Sequence, residues 1–120
     1  MKIDRVQVGP RMSQAVIHNN LVYLSGQVAL NARKGDVTAQ TQDILSSIDG
    51  LLAEVGTDKS RLLSVTIWLV DMSTFAQMNK VWDAWVTPGA TPARATVATP
   101  ALASDEYKIE ISVIAALPHE

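Results

Sequence analysis

Leu62-Leu63-Ser64-Val65-Thr66-Ile67-Trp68-Leu69-Val70 is the stretch on which the fold turns. It is rich in β-branched and aromatic residues and carries no charge, so it reads as a long strand. Side chains alternate between the two faces of a strand. Leu63, Val65, Ile67 and Leu69 form one set, apolar throughout. Leu62, Ser64, Thr66, Trp68 and Val70 form the other, polar in the middle and apolar at the end. The segment from Tyr107 to Leu117 repeats the pattern. Ile109, Ile111, Val113 and Ala115 alternate there with Lys108, Glu110, Ser112, Ile114 and Ala116.

Two amphipathic helices flank the first of these strands. Ile44, Ile48, Leu51, Leu52 and Val55 fall on one face of a helix running from about Val37 to Val55. Asp36 or Thr38 can cap its start and Gly56 can end it. Gly50 lies inside it and costs about 1 kcal/mol relative to Ala unless something packs there closely. Phe75, Met78, Trp82 and Trp85 give the second helix its face, with Asp71 or Ser73 as cap and Pro88-Gly89 as stop. Before the helices come short strands over 3–8, Ser13 to His18 and Leu21 to Ser25. Gly9-Pro10 breaks the first of these, and Asn19-Asn20 is a hairpin turn signal between the other two. Pro92 to Thr99 completes six strands. The order is β-β-β-α-β-α-β-β in one domain, residues 1–120. Two helices cover one face of a sheet, so the expectation is an α+β layer. The apolar part of the other face, with Trp68, Val70 and Ile114, then favours contact with another copy of the chain.

Bulk properties narrow the function. The 120 residues are 48% hydrophobic, with ten basic and twelve acidic side chains and a net charge of -2. No basic block exists to bind nucleic acid or an anionic membrane. The absence of cysteine excludes disulfides and thiol catalysis, and two histidines are too few for a His-rich metal site. No run approaches membrane length and no apolar leader is visible, so the sequence reads as a cytoplasmic protein.

Chemistry concentrates near Thr91-Pro92-Ala93-Arg94-Ala95-Thr96-Val97. Arg94 is the only cation between Lys80 and Lys108. A guanidinium among apolar and small residues must have its donors met, so Arg94 is a candidate receptor for a carboxylate or phosphate. A structural Arg, paired with an acidic neighbour or lying at the surface, is the competing reading. His18 beside the Asn turn reads as a surface residue, and His119 sits near the C-terminus.

Several segments together resemble the reactive-intermediate deaminases, the Rid or YjgF family, also known as endoribonuclease L-PSP-like proteins. They are Ser13-Gln14-Ala15-Val16, Ser25-Gly26-Gln27, Gln40-Thr41-Gln42, Phe75-Ala76-Gln77-Met78-Asn79, Pro92-Ala93-Arg94 and Ile109-Glu110-Ile111. Each fragment is weak alone; their order over about a hundred residues makes the match specific. The resemblance implies a chorismate-mutase-like fold: a single six-stranded mixed sheet with two helices on one face, assembled as a homotrimer with sites in clefts between subunits. It further implies that Arg94 binds the carboxylate of a small 2-imino or 2-oxo acid and that Glu110 positions a water. Ser25, Thr96, Asn79 and Met12 become further substrate-binding positions. No cofactor and no metal is implied.

The chain departs from the family's best-studied branch. Met12 stands where that branch has Tyr, one extra residue separates Gly9-Pro10 from Ser13, and Thr96 stands where Cys is frequent. The missing phenol marks a divergent branch and bears on the substrate more than on the anion site. Ordinary roles compete for each residue: a solvated strand glutamate, a turn hydroxyl at Ser25, a backbone-bonding Asn79, a packing Met12. The implied reaction is hydrolysis of 2-aminoacrylate-like enamines and imines to 2-oxo acids and ammonia. A non-catalytic 2-oxo acid sensor is the alternative. A ribonuclease fits less well, given the acidic balance and the absence of a placed His pair.

Overall fold

A computed structural model describes residues 2–118, so His119 lies outside the described residues. The strands are β1 (Asp4–Val8), β2 (Ser13–His18), β3 (Leu21–Leu24), β4 (Leu62–Leu69), β5 (Ala93–Ala98) and β6 (Ile109–Ala116). The helices are α1 (Val37–Glu54) and α2 (Phe75–Trp85). The six strands make one sheet in the order β1-β2-β3-β6-β4-β5. Among the described residues only β4 and β5 run parallel, joined through α2; the other neighbours are antiparallel. The α+β architecture with a mixed six-stranded sheet is therefore as expected.

Local chemistry explains the joints. Asn19 and Asn20 both adopt left-handed backbone, with φ of 54° and 63°, as a two-residue primed hairpin turn demands. Asp36 caps α1, its carboxylate accepting the Ala39 N–H at 2.8 Å. At the other end Gly56 (φ 86°) donates to Ala53 O at 3.1 Å, and Thr57 N–H donates to Leu52 O at 2.9 Å. That pair of reversed bonds is the glycine-ended stop expected from the sequence. Asp71 caps a short 3-10 turn, Met72–Thr74, which leads into α2.

Both helices pack on the face carrying Val65, Ile67, Leu69, Ile109, Ile111, Val113 and Ala115, all buried. One expectation fails at the start of β4. Strict alternation puts Leu63 on the core face, but Leu63 is 45% exposed and Leu62 is 5% exposed. A bulge between Leu62 and Ser64 inserts one extra residue against β6 and reverses the alternation before Ser64. β6 begins at Ile109 rather than Tyr107, because the Lys108 N–H is engaged by the buried Gln40 side chain at 2.8 Å. The Gln40 amide also donates to Glu106 O at 2.7 Å, so this side chain pins the loop before β6 to α1.

Among the described residues no helix lies on the opposite face. The strand register sets its rows: Val97 beside Trp68 beside Glu110, then Ala95, Thr66 and Ser112, then Ala93, Ser64, Ile114 and Tyr23. Tyr23 and Val97 are 41% and 42% exposed. No helix among the described residues is long and apolar enough to cross a membrane.

Candidate functional site: two half-sites on opposite faces of one sheet

Register decides where the expected site residues go. Arg94 pairs with Val65 and Thr96 with Ile67, whose side chains are buried under the helices. Residues directly paired across strands share a face. Arg94 and Thr96 therefore lie on the helix face, at the β5 edge. Glu110 pairs with Trp68, out of step with buried Ile109 and Ile111, and so lies on the open face. Within one chain the two residues expected to carry the chemistry point to opposite sides of the sheet.

The first half-site forms between β5 and α2. The Arg94 guanidinium carbon lies 5.2 Å from the ring centre of Trp82 and 5.9 Å from that of Phe75. No carboxylate pairs with Arg94 among the described residues, so the structural ion-pair reading has no partner here. Nearby in the same layer, Asn79 of α2 and Thr96 of β5 each hold a buried side-chain oxygen without a hydrogen-bond partner, Oδ1 and Oγ1. Buried polar atoms are normally satisfied, so two orphans beside an unpaired cation mark a place prepared for a ligand or ordered water. Arg94, Thr96 and Asn79 thus lie in the layer between β5 and α2.

The second half-site surrounds the turn after β3. The Glu110 carboxylate sits over Gly26. A Cβ on that glycine would overlap Oε2 and stand 2.9 Å from Cδ and 3.3 Å from Cγ. Burial pushes the Glu110 carboxyl above the ordinary glutamate value, because the charged form loses solvation there. Ser25, the residue before Gly26, donates its hydroxyl to Gln14 Oε1 at 3.1 Å. The Gln27 amide reaches both Gln14 Oε1 and Ser25 Oγ, each at 3.1 Å. Met12 lies in the β1–β2 connection, 54% exposed, beside a cavity of about 290 Å³ that Gln14 and Arg11 also line.

Sequence reasoning named six candidate residues but not Gly26, on which the Glu110 carboxylate packs, nor Gln14 and Gln27, which hydrogen-bond around Ser25. A glycine at a strand end signals close approach of another group, and that was the available clue. Among the described residues no cluster of His, Asp and Glu has the make-up of a metal site.

The chain is an α+β protein with one half-covered mixed sheet. The family model of endoribonuclease L-PSP matches residues 3–117. The RutC family protein YoaB of Escherichia coli (strain K12) is 44% identical over 117 residues, 98% of this chain and 100% of that protein. A RutC family protein of Haemophilus ducreyi is 42% identical over 118 residues, 98% of this chain and 99% of its own. A crystal structure of a YjgF-family member from Neisseria meningitidis superposes with a TM-score of 0.95. It shares 44% identity and covers 100% of this chain and 98% of that one. The chain belongs to the endoribonuclease L-PSP family, whose relatives are named RutC and YjgF proteins.

Proposed function

We propose that the protein is a cytoplasmic homotrimeric hydrolase. It deaminates small reactive enamines and imines of the 2-aminoacrylate type, releasing 2-oxo acids and ammonia. Each site joins Arg94, Thr96 and Asn79 of one copy to Glu110, Ser25 and Met12 of the next. The observation that carries this reading is the opposition of Arg94 and Glu110 across one sheet. Their register puts the two side chains on opposite faces, so a site that uses both needs a second copy of the chain. The uncovered face with Trp68, Tyr23 and Val97 supplies apolar surface for the assembly that would bring them together.

In this scheme the Arg94 fork holds the substrate carboxylate with two parallel charge-assisted bonds. An enamine first tautomerises to its imine. Water then adds to the C=N carbon while one of its protons passes to the Glu110 carboxylate. Glu110 returns that proton to the nitrogen to give the carbinolamine, the carbinol O–H proton is relayed through Glu110 to the same nitrogen, and the C–N bond breaks to leave the 2-oxo acid and ammonia. A carboxyl raised toward neutrality by burial suits a group that must both take and give a proton. No cofactor, metal or nucleic acid enters the scheme.

The test is ammonia release from a freshly generated enamine, run on wild type and Arg94→Ala beside a 2-oxo acid titration. Activity and binding both lost in Arg94→Ala support the enzyme. Truncating one partner of a desolvated charged pair costs about 2 to 5 kcal/mol in affinity. Arg94-dependent binding without ammonia release returns the protein to a 2-oxo acid sensor. The exposed thioether of Met12, in place of a hydrogen-bonding phenol, favours that second reading. Wild-type affinity in a folded Arg94→Ala protein sinks both.

A further inference from the structure

The anion-binding reading of Arg94 leaves open what holds an unpaired guanidinium in place. On that reading, we propose that Phe75 and Trp82 are positioning residues, an aromatic platform that orients Arg94 without neutralising it.

Three observations carry this. The Arg94 guanidinium carbon is within 6 Å of both ring centres, 5.2 Å for Trp82 and 5.9 Å for Phe75, the range in which a ring quadrupole attracts a cation. No carboxylate takes that role among the described residues. The platform is itself anchored. Trp82 is 5% exposed and packs on Trp85 at 5.4 Å, and Trp85 Nε1 donates to Asp49 Oδ2 of α1 at 3.0 Å. Phe75, Asn79 and Trp82 recur at i, i+4 and i+7, so one face of α2 presents both rings and the orphaned Asn79 oxygen toward β5.

The chemistry distinguishes this support from a salt bridge. A carboxylate partner would occupy the N–H fork and cancel its charge. An aromatic ring attracts the cation while accepting none of its N–H bonds in the plane. The fork and its charge stay available to an incoming carboxylate, and the rings reduce the rotamer freedom that binding would otherwise have to remove. The substrate carboxylate does not react, so Arg94 grips ground and transition states alike. Loosening it raises KM and leaves kcat unchanged.

Phe75 is the residue to vary, because at 38% exposure its removal leaves the core intact. Phe75→Leu keeps apolar bulk and removes the quadrupole; Phe75→Tyr restores it. Pyruvate affinity and the steady-state constants for a generated enamine are measured on both, with Arg94→Ala alongside. The expected result is a rise of about threefold to tenfold in Kd and KM for Phe75→Leu, with kcat within about twofold and Phe75→Tyr near wild type. Unchanged Kd in Phe75→Leu, or equal losses in Leu and Tyr, overturns the platform while Arg94→Ala still loses binding. If Arg94→Ala binds pyruvate like wild type, the anion-site reading fails first and the platform falls with it.

Discussion

Adding a single methyl group at Gly26 tests the second half-site more sharply than removing Glu110 does. The Gly26 backbone does not occupy the left-handed region, so Ala is sterically permitted there on backbone grounds. The obstacle is the Glu110 side chain, with Cδ 2.9 Å and Cγ 3.3 Å from the new carbon. Carbon atoms prefer about 3.5 to 4 Å, so the carboxylate end must move by roughly 1 Å. A glutamate terminus swings easily, and stability should change by less than about 1 kcal/mol. Catalysis is less forgiving. A displacement of roughly 1 Å costs on the order of 100-fold, about 2.7 kcal/mol of barrier. The assay is ammonia release against thermal melting, with 2-oxo acid binding as a third measurement. Gly26→Ala should melt near wild type, bind the acid through Arg94, and turn over about a hundredfold more slowly. Full turnover in a stable Gly26→Ala protein would show that the placement of Glu110 is immaterial.

Glu110→Gln should slow hydrolysis while preserving the fold and acid binding. Because burial raises the Glu110 carboxyl, the folded chain binds its proton more tightly than the unfolded chain does. Stability conferred at low pH is then lost as pH rises through the raised value. Melts across pH should show Glu110→Gln equal to or above wild type at neutral pH, with the gap closing below the ordinary glutamate range. In wild type, turnover should fall as pH drops through that same raised value. A methyl group added at Gly50, in the interior of α1, would meet no atom within 4 Å. Gly50→Ala should therefore raise stability by about 0.5 to 1 kcal/mol in denaturant titrations, and a loss would mean that a neighbouring copy packs there. Sedimentation at micromolar concentration should give about three times 13.0 kDa, and a clean monomer would sink the shared site.

The sheet is legible in the sequence where alternation is unbroken. Ile109, Ile111, Val113 and Ala115 are buried as their spacing requires, and Asn19-Asn20 turns the hairpin as its chemistry requires. Alternation misleads at Leu62 and Leu63, because two adjacent leucines fit either register and a bulge chooses between them through pairing with β6. The candidate site residues are proposed as a set only through resemblance. Their division is not legible, because β5 is Ala-Arg-Ala-Thr-Val-Ala and carries no apolar alternation to mark its inner face. Its inward residues become known only from Val65 and Ile67 beside them. The Gln14–Ser25–Gln27 triangle escapes a linear reading because it joins groups from one strand and from the turn beyond another.

β5 is also the end of the sheet, paired on one side only, with small side chains on an exposed strand. Such a border invites pairing with any extended segment in an unfolded or crowded solution. Arg94 is its one charge, and a charge on an edge strand opposes such pairing. The position therefore meets two physical demands, a fork for a carboxylate and a charge on the border, that need not vary together. A chain that lost its ligand would still have reason to keep a cation on this strand, and drift from Arg to Lys here would be tolerated by the border sooner than by the site.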